Sequence, residues 1–241
     1  MALGIEALMV LLREHRSLGI TQLAERLQLS KSTMHDLAAA LCALGFVSQN
    51  QTTRRYGISP EIFRFLNLIS TEFGANSVVK PFLRAQARKL SASIVVTALC
   101  RETTYTLCAS GLNADTFLLG DHGPAYTSAC GKMLVSQLDE ASWIEYAPTS
   151  REKPCTPYTN LNPHVFLREL RAARANGVAW NLRERDATLC SVASPISVGE
   201  QPWGRAIAIA LPYSDWVVRD REELASQVKN LAADVSEMLI G

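Results

Sequence analysis

The 241-residue sequence predicts an α+β chain of two domains: a helical head closed by a short strand pair, then a larger antiparallel sheet flanked by helices. Three observations predict it. Between Thr21 and Leu44, apolar residues recur at three- and four-residue steps on two helices joined by a tight turn. Two short β-forming runs follow, Phe46-Val47 and Arg54 to Ile58, with the polar turn Gln49 to Thr53 between them. From Ser93 the texture changes to β-branched and aromatic runs, with strand pairs set too close together for crossover connections, which argues for an antiparallel sheet.

The first stretch, MALGIEALMVLL, reads as an amphipathic helix with Ile5, Leu8, Met9 and Leu12 turned inward. A signal peptide is not expected, because Glu6 interrupts the run, no basic segment precedes it and no small-residue cleavage site follows. No run approaches the roughly 20 apolar residues that span a membrane, so a cytoplasmic protein with no membrane partner is expected.

Thr21 is a suitable N-cap for a short helix with Leu23, Ala24 and Leu27 on its apolar face. After the turn Gln28-Leu29-Ser30, Ser30 caps a second helix carrying Met34, Leu37, Ala38, Leu41 and Leu44, which ends at Gly45. Lys31, Ser32, Thr33, His35 and Asp36 face outward near its start. Free backbone N–H groups and short polar side chains there suit phosphate and base-edge contacts in a major groove, as on a recognition helix. The plainer reading is a helical hairpin with a solvated face. The strand pair favours DNA: it forms the wing of a winged helix-turn-helix, with Arg54 and Arg55 beside a phosphate backbone or minor groove.

Charge is consistent with this. The chain holds 24 Lys and Arg against 23 Asp and Glu, which excludes a uniformly basic coat. Residues 1–60 carry six cations and four anions, a balance of +2, and the remainder is 18 minus 19, or −1. The six cysteines are scattered without metal-ligand spacing, so reduced thiols, no metal site and no cofactor are expected.

Ser59-Pro60 closes the head. Glu61 to Phe73 reads as a connecting helix whose large apolar residues, Ile62, Phe63, Phe65, Leu66 and Ile69, suit packing against a second copy in a dimer. Gly74 to Ser77 is the linker candidate, and a helix runs from Val79 to Leu90. Ile94–Leu99 and Thr103–Ala109 form a hairpin about Arg101-Glu102, and Phe117-Leu118-Leu119 reads as a third strand ended by Gly120 to Pro124. Helices are expected over Ala129–Leu138, Pro163–Asn176 and Asp220–Leu239, and strands over Val178–Trp180, Leu189–Pro195 and Arg205–Leu211. The expected division is therefore a DNA-binding head over 1–60, a connecting helix and linker over 61–76, and a ligand-binding domain over 77–241.

Three segments in this order resemble the IclR family of bacterial transcriptional regulators: ITQLAERLQLSKSTMHDLAAALCALGFV, AYTSACGKMLVSQL (Ala125 to Leu138) and GVAWNLRERDATLCSVASPI (Gly177 to Ile196). The resemblance implies a GAF-like effector domain, a homodimer or dimer of dimers, and control of a double-stranded DNA operator by a small organic acid. It places the ligand between the sheet and the loop before the Gly-Lys helix, with the backbone N–H groups of Ala129 and Cys130 on an anionic oxygen and Asn181 and Ser191 offering polar side chains. Two departures stand out. Ala208 and Ala210 replace serines found in members that bind small polar acids, and Thr188 replaces a usual glycine. An unpaired buried polar group costs about 1–3 kcal/mol, so a pocket without those hydroxyls suits a carboxylate with an apolar or aromatic body. Phe117, Tyr126 and Trp180 are candidate walls, with core packing the alternative for Tyr126 and Trp180.

The residues bear on two other functions. Cys130 before Gly131-Lys132 at a helix start has the setting of an activated thiol, as a redox sensor or a nucleophile, but no neighbouring base is fixed by sequence and no catalytic residue is assigned. A phosphate-binding loop is excluded, because position 126 is Tyr and position 133 is Met where Gly and Ser or Thr are required.

Overall fold

The computed structural model describes residues 2–72, 78–111, 116–149, 151–197 and 204–240. It divides into two compact units, Met1–Glu72 and Phe73–Gly241. The linker candidate Gly74 to Ser77 and the end of the connecting helix at Phe73 lie outside the described residues.

The first unit holds α1 (Ala2–Glu14), α2 (Ile20–Leu27), α3 (Lys31–Ala43), the strands β1 (Val47–Gln49) and β2 (Tyr56–Ile58), and α4 (Ile62–Glu72). Its core is Ala7, Leu11, Leu23, Met34, Leu41 and Tyr56 with their neighbours. The buried face of α1 is Gly4, Ala7 and Leu11, not the predicted stripe; Ile5, Met9 and Leu12 are exposed. The reason is close approach. A Cβ at Gly4 would lie 3.7 Å from both Leu37 and Leu41, so the small residues of α1 set its contact face. Gly19, not Thr21, is the N-cap of α2, and the Gln22 side chain accepts from the Gly19 N–H at 3.0 Å. Ser30 caps α3 as expected, its Oγ accepting from the Thr33 N–H at 3.1 Å. The α3 helix is followed by Gly45 at φ +75°, a conformation that favours glycine, while Leu44 is exposed. The ring of Phe65 lies 4.5 Å from that of Phe46, so α4 belongs to the head unit.

The second unit is a six-stranded antiparallel sheet ordered β5-β4-β3-β8-β7-β6. Its strands are β3 (Ser93–Cys100), β4 (Thr103–Ser110), β5 (His122–Pro124), β6 (Ala179–Leu182), β7 (Leu189–Ile196) and β8 (Arg205–Pro212). Its helices are α5 (Val79–Leu90), α6 (Ala129–Ser136), α7 (Pro163–Asn176), α8 (Tyr213–Trp216) and α9 (Arg221–Ile240). Phe117-Leu118-Leu119 is not a strand: Leu118 and Leu119 are exposed, and the edge pairing is made by His122–Pro124 against Thr103–Tyr105.

Strand β8 shows how the sheet makes two unlike faces. Its alternation sends Ile207, Ile209 and Leu211 toward the core that includes α5 and α9, and Ala206 and Ala208 toward α6. The large residues fill one side. The alanines leave room on the other.

Candidate functional site

On the alanine side of the sheet lies a cavity of about 270 Å³. Its floor is strand residues that alternate onto this face: Val95 and Thr97 of β3, Thr104 and Thr106 of β4, Ser191 of β7, and Ala208 and Ala210 of β8. Ser128, Ala129 and Cys130, at the start of α6, form one wall. Ser128 is the N-cap there: its Oγ accepts from the Gly131 N–H at 2.9 Å, and its carbonyl from Lys132 at 3.0 Å. Among the described residues the amides of Ala129 and Cys130 have no backbone or side-chain acceptor, so two N–H donors at the positive end of a helix border the cavity.

The lining also includes a charged group. Arg185 donates from Nη2 to Asp121 Oδ2 at 3.1 Å and to the His122 carbonyl at 2.9 Å, and Arg185, Asp121 and Asp186 all line the cavity. Phe117 and Leu189 supply its larger apolar surfaces. The lining thus combines helix-start amides, small and aromatic apolar surface, and hydroxyls with an ion pair.

Behind the cavity a buried lysine locks the wall in place. Lys132 Nζ lies 2.6 Å from Glu184 and 2.8 Å from Glu169, with 2% of its side chain exposed. Burial pushes the Glu184 carboxyl up, and Lys132 opposes that shift. Asn181 braces the same wall: its Nδ2 donates to the Thr127 carbonyl at 2.7 Å, and its Oδ1 accepts from the Glu184 N–H at 2.9 Å.

In the head, Lys31, Ser32, Thr33, His35 and Asp36 are exposed at the start of α3. The hydroxyls of Ser32 and Thr33 lie 2.9 and 2.8 Å from Ser30 Oγ. The β1–β2 turn is held by Asn50, whose Oδ1 accepts from Thr52 and Thr53 at 3.0 and 2.8 Å. Arg54 is exposed at its tip, at φ +54°. Arg55 is half-buried instead, and donates to Gln22 Oε1 at 2.9 Å.

Comparison with known proteins decides what this pairing of head and cavity is. The family model described as "Bacterial transcriptional regulator IclR C-terminal" matches residues 76–237, and the IclR helix-turn-helix domain matches residues 4–51. The chain belongs to the IclR family. It is a DNA-binding transcriptional regulator.

Among curated IclR-type relatives, the p-hydroxybenzoate hydroxylase transcriptional activator of Acinetobacter baylyi is 25% identical over 191 residues, covering 76% of this chain and 70% of its own. The regulator KdgR of Escherichia coli is 25% identical over 201 residues, 77% of this chain and 72% of its own. The IclR structure of Thermotoga maritima superposes with a TM-score of 0.75 at 20% identity, covering 98% and 96% of the two chains. An IclR homologue of Microbacterium hydrocarbonoxydans complexed with 4-hydroxybenzoate superposes at 0.73 with 14% identity and 98% of each chain, a likeness of fold.

Within this IclR fold, six of the eight residues proposed from sequence as effector contacts line one cavity: Ala129, Cys130, Asn181, Ser191, Ala208 and Ala210. Tyr126 and Trp180 do not. Tyr126 is 5% exposed and packs with Val135, Trp143 and Phe166, and Trp180 sets its ring edge-on to Trp216 at 5.7 Å. Both are corrected to core residues, because the 3₁₀ turn at Tyr126 and the alternation of β6 carry their rings away from the cavity. Asn181 lines the cavity with its amide already bonded on both sides.

Cys130 faces the cavity as a protonated thiol. Burial pushes it up to about 12, against the smaller lowering effects of a hydrogen bond with Thr97 and the charge of Arg185. This works against thiolate chemistry at neutral pH. All six cysteines are free, and among the described residues no cluster of His, Cys, Asp and Glu suits a metal. No described helix is long and apolar enough to cross a membrane.

Nothing in the sequence singles out Arg185 as a cavity residue. Arg183, Glu184 and Arg185 form an uninterrupted charged run, and each goes to a different place: Arg183 onto tyrosine rings, Glu184 onto Lys132, Arg185 to the cavity. No periodicity separates them.

Proposed function

We propose that this regulator's operator affinity is set by a monocyclic aromatic carboxylate held in the cavity, with a ring hydroxyl favoured over none. The observation that carries this reading is the mixture of chemistry that lines one cavity: the unbonded amides of Ala129 and Cys130, the small apolar surfaces of Ala208 and Ala210, and the hydroxyls of Thr104 and Thr106 with Arg185. Helix-end amides receive a carboxylate, the alanines accept a ring face, and the hydroxyls meet a ring substituent. The Ser191 hydroxyl makes no hydrogen bond among the described residues and is available to the ligand. The 4-hydroxybenzoate complex of a relative supports the same class. The Cys130 redox alternative is disfavoured by the thiol's burial, and no catalytic residue is assigned.

Calorimetric titration with 4-hydroxybenzoate, benzoate and glyoxylate tests the reading. We expect affinity to fall in that order. Tight glyoxylate binding with no heat from either aromatic acid would contradict it.

On the DNA side, Ser32, Thr33 and His35 are assigned to base edges and Lys31, Arg54 and Arg55 to phosphates, although the Gln22 bond makes Arg55 in part a brace of the wing. Arg54→Ala is expected to weaken every sequence alike and reduce the salt slope by about one, whereas Thr33→Ala should relax one operator position. Equal losses across all operator variants in both proteins would refute the division. A homodimer is inferred because Phe63 and Leu68 of α4 and Ile5 of α1 are 69%, 65% and 60% exposed in the single chain. Two such recognition helices would read half-sites about 34 Å apart, or a multiple of it.

A further inference from the structure

We propose that the effector domain carries a second small-molecule site, for an oxyanion of at least two charges such as a phosphate ester or a dicarboxylate, where Arg183, Arg219 and Arg221 converge. They meet at a recess of about 410 Å³ walled also by Tyr158, Tyr213 and Trp216. It shares no lining residue with the effector cavity.

The electrostatics set this recess apart from an ordinary basic surface. No acidic side chain lines it, and among the described residues none of the three guanidiniums forms an ion pair. Arg183 and Arg219 are nonetheless half-buried. Like charges drawn into one recess repel, and partial burial removes the water that would screen them. A counter-anion relieves both costs.

The head groups are also held in place beforehand. The Arg183 guanidinium carbon lies 3.7 Å from the Tyr158 ring centroid and 4.4 Å from that of Tyr213, and its Nε donates to the Ala187 carbonyl at 2.7 Å. Arg219 donates from Nη2 to the Leu90 carbonyl at 3.0 Å. These contacts orient the forks without neutralising them, and leave further N–H donors for oxygens in the bidentate geometry that guanidinium offers. Two half-buried cations and a third, exposed one at Arg221 match a dianion better than a monoanion.

The test is calorimetric titration of the full chain with pyrophosphate and, separately, with malonate, at fixed ionic strength and without effector, so the outcome does not depend on the effector reading. We expect saturable binding of at least one probe, one per chain, weakened about tenfold or more in both Arg219→Gln and Arg221→Gln, since one charge-assisted hydrogen bond is worth that much. Arg221→Gln alters an exposed side chain and should melt with the wild type, which separates lost binding from lost folding. Binding of pyrophosphate alone assigns a phosphate-bearing ligand, and of malonate alone a dicarboxylate. The proposal is overturned if neither probe saturates the wild type or if both variants bind as well as it does. Weakened operator binding in Arg219→Gln without probe binding would likewise overturn it, assigning the arginines to DNA phosphates.

Discussion

Gly131→Ala is expected to lower the unfolding free energy by about 3 kcal/mol and to abolish effector binding. A Cβ at this position would fall 2.1 Å from the Ala125 carbonyl oxygen, 2.6 Å from Ala125 Cα and 2.7 Å from its carbonyl carbon. All three are backbone atoms, so no side chain can swing aside. Relief requires α6 to lift from the Ala125–Thr127 turn, and α6 presents the Ala129 and Cys130 amides to the cavity. Gly57→Ala is the control, because its nearest neighbour would be Ser17 at an ordinary 3.7 Å. Urea denaturation of the two variants checks the contrast. Equal midpoints would show that the contact yields without cost.

Lys132→Ala should cost about 3 kcal/mol at pH 7.5, because it leaves the Glu184 carboxylate buried without its cation. The pH dependence separates this from a packing loss. Burial already raises Glu184 and Lys132 opposes the rise, so removing Lys132 raises it further. An acid held above its unfolded value, about 4.3 for Glu, binds its proton more tightly when folded. The electrostatic penalty is therefore absent below that pH, grows as pH rises through it, and is complete above the folded value. The variant should recover much of the difference from wild type as pH falls from 7.5 to 5, and Glu184→Gln in the same background should recover it at both. A loss equal at both pH values would assign Lys132 a packing role alone.

The parts of this molecule that were legible in the sequence are those where large residues and strong local signals set the structure. The Met34, Ala38, Leu41 stripe with its Ser30 cap and Gly45 stop defines α3, and the apolar run Arg205–Leu211 defines β8. Reading failed where small residues or tertiary contacts set the geometry. The contact face of α1 is made by Gly4 and Ala7 and not by the larger Ile5 and Met9. Phe117 lines the cavity as the sequence predicts, but not from a strand: Leu118 and Leu119 face solvent. The cavity's alanines and amides are legible through the family resemblance. Its Thr104, Thr106 and Arg185 are not, since threonines in a strand and an arginine in a charged run look like ordinary sheet and loop. Lys132 has no phosphate-loop setting in the sequence, and its role is set by Glu184, 52 residues away.

The central claim, that a carboxylate beneath α6 controls operator affinity, is tested most directly by titrating the protein–operator complex with 4-hydroxybenzoate and following fluorescence anisotropy of the DNA. The operator would first be selected from a random pool, and Gly131→Ala run in parallel. The account predicts a saturable, several-fold change in operator affinity for the wild type, with the midpoint displaced from the acid's calorimetric Kd by no more than that same factor, and none for the variant. Unchanged operator affinity at saturating acid would contradict it.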